Sequence, residues 1–109
     1  MSETVIITLG HGPSSRKGSR EHDPATREAF VREVRDLVEI TWGPVVAAIS
    51  GPSASDWGYE TATWLSVSME EAETLGATRH YLARIARRYD QDAIGVVFRG
   101  QFVEIEAAP

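Results

Sequence analysis

A chain of 109 residues has room for one domain and one core, and its 42% hydrophobic and 25% charged content argues against disorder. The absence of cysteine rules out disulfides, thiol chemistry and cysteine-held zinc or iron–sulfur groups. Sixteen acids against eleven bases, a formal net charge of −5, disfavour a general nucleic-acid binder, and the longest apolar run, Val45–Ile49, is far short of the ~20 residues a membrane span needs.

The opening Met1-Ser2-Glu3-Thr4 has neither the basic region nor the apolar stretch of a leader, so a cytoplasmic protein is expected. Val5–Leu9 then reads as a buried strand, stopped by Gly10 and Gly12-Pro13. The polar stretch 10–23 has no periodicity, and loops of that length are as a rule either functional or mobile. Asp23-Pro24 supplies a helix cap and a first-turn proline. Phe30, Val31, Val34, Leu37, Val38 and Thr41 recur at three- and four-residue spacing, which predicts an amphipathic helix ended by Gly43-Pro44.

Val45–Ile49 is a second strand, and the small residues Ser50–Asp56 read as an exposed loop. From Tyr59 to Ser68 the pattern alternates, with Tyr59, Thr61, Thr63, Leu65 and Val67 on one face, as in a strand with one side on the core. Ser68-Met69-Glu70-Glu71 has the spacing of a capping box and predicts a second helix, with Leu75, Leu82, Ile85 and Tyr89 on its stripe. Ala93–Phe98 is a further strand, Arg99-Gly100 a turn, and Gln101–Glu106 a last strand. The order predicts an α+β fold, a ferredoxin-like β-α-β-β-α-β two-layer sandwich with an extra C-terminal strand, as a single domain over 1–109.

That topology brings loops 10–23, 51–58 and 89–92 to one end of the domain, where function usually sits. The candidate ligand- or partner-binding residues are therefore His11, Arg16, Lys17, Arg20, His22, Trp57, Arg88, Tyr89 and Gln91. Arg16, Lys17 and Arg20 would supply charge-assisted donors to an anion. The loop nevertheless fails the phosphate-loop pattern, because Lys17 precedes Gly18 instead of following a glycine. His11 and His22 are too far apart in sequence to specify a metal site, and Asp23 is accounted for as a cap. No metal and no cofactor are expected, and no nucleophile with an identifiable base is present. Trp57, in a loop of small residues, is a candidate contact anchor.

The junction Arg88-Tyr89-Asp90-Gln91-Asp92-Ala93-Ile94 resembles one in small uncharacterised bacterial and phage proteins. The resemblance implies a ferredoxin-like fold and no activity. A phage or actinobacterial source also suits the base usage, since ten of the eleven bases are Arg. Together these features predict a small non-enzymatic binding protein, engaging a protein partner or a small anionic ligand through its end loops, with a homodimer through the sheet face allowed. The alternative is a small dimeric α/β-barrel enzyme of the monooxygenase kind, with Trp64, His80 and Tyr59 about a pocket.

Overall fold

The computed structural model describes residues 3–55, 58–69 and 76–109. Strand β1 (Glu3–Gly10) alternates: Val5, Ile7 and Leu9 are fully buried, while Thr4, Ile6 and Thr8 point to the other face. Helix α1 (Pro24–Thr41) starts where the sequence predicts. The Asp23 carboxylate accepts from the Thr26 amide at 2.7 Å, and this bond holds its pKa below the ordinary carboxylate value. Phe30, Val34 and Val38 are buried one turn apart, so a single stripe of α1 faces the sheet.

The remaining elements are β2 (Val45–Ser55), β3 (Gly58–Met69), α2 (Gly76–Arg88), β4 (Ala93–Phe98) and β5 (Gln101–Glu106). The five strands form one antiparallel sheet in the order β2-β3-β1-β4-β5. Both helices cover one face, α1 over β2 and β3 and α2 over β4 and β5. The core between the layers joins Leu9, Leu65, Val67, Ile94 and Ile105 of the sheet to Phe30, Val34, Leu82 and Ile85 of the helices. The opposite face of the sheet has no helix among the described residues. Arg99 and Gly100, both at positive φ, make the two-residue turn between β4 and β5.

Two boundaries differ from the sequence reading. Ser50–Ser55 is strand, because each of its residues has a partner between Gly58 and Thr63 and the β2–β3 hairpin continues past the end of β1. Pro52 is tolerated there because β2 is an edge strand. Ser68 is not a helix cap: it lies in β3 opposite Thr4, and its amide donates to the Pro44 carbonyl at 2.9 Å. Pairing along β1 outweighs the local capping signal, and the described part of α2 begins at Gly76. Glu70 and Glu71 of the expected cap lie outside the described residues. No described helix is long and apolar enough to cross a membrane.

Candidate functional site

The loop after β1 is fastened, not adrift. Ser14 and Ser19 hydroxyls donate to Asp90 at 2.9 and 2.6 Å, and Arg16 Nη1 reaches the same carboxylate at 3.0 Å. The amide and hydroxyl of Ser15 both donate to Asp92, at 2.9 and 2.8 Å. The bond from Ser19, followed by those from Ser14 and Arg16, holds the Asp90 carboxyl below its ordinary pKa. Asp90 takes φ 54°, a left-handed conformation that Asp and Asn tolerate better than most residues. A sharp turn before β4 thus aims two carboxylates at a serine-rich loop.

Beneath this latch runs a chain of buried polar groups. His11 is fully buried and His22 nearly so. Their Nδ1 atoms are 3.2 Å apart, His11 Nε2 is 2.8 Å from Thr63 Oγ1, and Thr63 Oγ1 is 2.8 Å from Ser50 Oγ. His22 Nε2 lies 2.6 Å from the Tyr89 carbonyl, which can only accept. That end fixes every proton when both rings are neutral. His22 donates through Nε2 and accepts at Nδ1 from His11, whose Nε2 accepts from Thr63, whose oxygen accepts from Ser50. Burial, then the nearby His22 and Arg27 charges, lowers the His11 pKa from 6.5 to about 4. Phe30 meets both imidazoles edge-on and stacks on Tyr89 at 5.1 Å, sealing the chain from the core side.

The uncovered face of the sheet carries a depression of about 270 Å³ at the same end of the molecule. Its rim brings Pro13 and Ser14 of the first loop, Ser53 of β2, and Gln91 and Asp92 before β4 to one place. Its floor is kept bare by glycine. A Cβ on Gly10 would come within 2.7 Å of Glu60 Oε1, and one on Gly12 would collide with Glu60 Oε2. The Glu60 carboxylate therefore lies directly on the backbone of the β1 end. Likewise a Cβ on Gly95 would stand 2.8 Å from Phe102 Cε2, so that ring rests on the sheet where a side chain is missing. Gln91 is buried and donates from Nε2 to the carbonyls of Gly12 and Asp90 at 2.9 and 3.1 Å. Its Oε1 faces Gly10, at 3.3 Å from where a Cβ would be. Carboxylates of Glu60, Asp92 and Glu104, the Gln91 amide and the Phe102 ring form a site suited to an uncharged or cationic molecule rich in hydroxyl and amino groups.

The residues named from sequence divide among three environments. Gln91 lines the depression. His11 and His22 belong to the interior chain. Arg20, Arg88 and Tyr89 border a wider hollow beside His22, and Arg88 pairs with Glu33. Arg16 is engaged by Asp90, and Lys17 is exposed. Trp57 lies outside the described residues. For the enzyme alternative, Trp64 opposes Thr8 on the open face, whereas His80 is exposed on α2 across the sheet, so the two do not meet. The Tyr59 side chain is outside the description. Glu60, Phe102, Glu104 and the three glycines were not singled out. The available signal was Glu60 on the polar phase of a strand, together with Gly10, Gly12 and Gly95 beside β-branched runs. Among the described residues no three His, Asp or Glu side chains are grouped so as to hold a metal ion.

No protein-family model matches this chain, and no curated protein does. Among solved structures, a phage SAM lyase in complex with S-methyl-5'-thioadenosine matches with a TM-score of 0.59. The match covers 97% of this chain and 90% of that one at 12% identity, a likeness of fold. It corrects the expectation of a non-enzymatic interaction protein, since the fold matched over nearly the whole chain is that of a protein described as a lyase holding a small nucleoside. The sequence reading weighed the charged loop, of which Arg16 is engaged by Asp90, and did not weigh the glycine-cleared sheet face.

Proposed function

We propose that this protein is a small ferredoxin-like lyase that binds S-adenosylmethionine (SAM) on the open sheet face and releases S-methyl-5'-thioadenosine. The observation that carries the reading is the glycine-floored depression holding Glu60, Gln91 and Phe102. The fold likeness to a lyase complexed with that nucleoside supports it, and so does the strand order β2-β3-β1-β4.

The chemistry suits such a site. The bond from sulfur to the aminobutyrate carbon breaks with its electron pair going to sulfur, which leaves as a neutral thioether. The carbon that loses sulfur is satisfied either by its own carboxylate oxygen, closing a lactone, or by loss of a neighbouring proton to solvent, which leaves an alkene, so no water is consumed. Positive charge on sulfur vanishes as the bond breaks, and a carboxylate clamped to sulfur would hold the reactant back. Glu60 is accordingly assigned to the ribose hydroxyls, whose charge is unchanged during the step. Gln91 Oε1 is the acceptor for the adenine amino group, and Phe102 offers its ring to the base.

Incubation of the purified protein with SAM, followed chromatographically, tests the proposal. S-methyl-5'-thioadenosine is expected to appear, and Glu60→Gln is expected to lower kcat/KM about tenfold to a hundredfold through loss of a charge-assisted hydrogen bond. If the protein neither forms that nucleoside from SAM nor binds it in calorimetry, the proposal fails.

A further inference from the structure

A second cavity, of about 410 Å³, opens on the helix side of the sheet, between α1 and the edge strand β2. Pro24, Arg27, Val31 and Arg35 line its helical wall, and Ser50 and Thr63 its floor. Its charges are unevenly satisfied. At the rim Arg32 pairs with Glu28 at 2.9 Å, and Arg35 pairs with Glu39 at 2.8 Å. Arg27 makes no ion pair among the described residues, and its Nε is buried without a hydrogen-bond partner. A buried guanidinium N–H without an acceptor is costly, and native proteins rarely leave one so. The floor is polar but already paired, because Ser50 is the outer end of the chain that runs inward through Thr63 to His11. Val31, Pro24 and the arginine stems give the cavity an apolar wall.

We infer that this cleft is a binding site for an oxyanion carried on an apolar body, with Arg27 as the principal ligand and Arg35 beside it. A planar guanidinium that no carboxylate engages matches two oxygens of a carboxylate or phosphate in a way that an ammonium does not, and the apolar wall accommodates the remainder of the ligand. The site lies across the sheet from the Glu60 depression and does not depend on the reaction assigned there.

The test is an amide-shift titration of the whole protein with benzoate and, separately, with phenyl phosphate, against sodium chloride at matched ionic strength. Saturable shifts centred on Ser50, Thr63 and Val31 are expected, with Kd on the order of 1 mM for a one-ring ligand. Arg27→Gln is expected to weaken that binding at least tenfold. Arg27→Lys, which keeps the charge and the fold but removes the planar fork, is expected to do nearly the same. Saturation by benzoate alone marks a carboxylate site, by phenyl phosphate alone a phosphate-ester site, and by both a general oxyanion site. Shifts that match chloride, or binding unaltered in folded Arg27→Lys, overturn the proposal.

Discussion

Gly10, His11 and Gly12 are consecutive in the chain but serve opposite sides of the sheet. On the helix side His11 enters a hydrogen-bond chain in which every member has a donor or acceptor role, from Ser50 to the Tyr89 carbonyl. On the open side the two glycines present bare backbone, and the Glu60 carboxylate rests on it beside a cavity. The first arrangement has spent its hydrogen-bonding capacity on holding loop 10–23 to the turn before β4. The second offers capacity to a visitor. Polar residues alone do not mark a site; the distinction is whether their partners belong to the same molecule.

Removal of His11 is the most severe way to break the comparison. His11→Ala leaves a cavity and strands the His22 and Thr63 partners, so equilibrium unfolding in urea should show a loss of about 3–5 kcal/mol. Acid should do much of this to the intact protein. The His11 pKa is about 4 in the folded state against 6.5 ordinarily, so between those values the unfolded chain binds the extra proton. Stability is therefore retained above pH 6.5 and declines as the pH falls towards 4, by on the order of 3 kcal/mol. A urea series across that window should show the decline, and His11→Ala should flatten it.

On the open face the effects should fall on ligand and not on folding. Gly12→Ala places a methyl group against the Glu60 carboxylate, and calorimetry should show about tenfold weaker binding of S-methyl-5'-thioadenosine, with stability altered by less than about 1 kcal/mol. Gly95→Ala meets chiefly the far end of the Phe102 ring, an exposed side chain with room to turn outward. Affinity should fall a few-fold, the smallest of these changes. If either glycine variant lost stability as His11→Ala does, the open face would be structural and the division between the two sides would collapse.

Much of the fold was legible because its signals are local. Alternation marked Val5–Leu9, four-residue spacing marked Phe30, Val34 and Val38, and Asp23-Pro24 marked the start of α1. Where pairing partners decide, the sequence misled. Ser50–Ser55 looks like a loop until its partners in β3 are known, and Ser68 looks like a cap until it is seen opposite Thr4. The site was less legible than the fold. Gln91 was named because it sits at a junction, but Glu60 and Phe102 meet only through register, across the two intervening strands β1 and β4. His11 and His22 are polar letters in a polar loop, and only the Phe30 and Tyr89 rings packed beside them reveal them as interior residues.

Past the end of β1, residues Ser53–Ser55 and Gly58–Glu60 pair only with each other, and β2 leaves one side of its backbone bare. Such an edge invites strand-to-strand polymerisation between molecules, the more so with Val46 and Ile49 exposed on the same strand. Pro52 cannot donate a backbone hydrogen bond to any neighbour. A single imino acid in the outermost strand thus interrupts the template that a growing fibril would need.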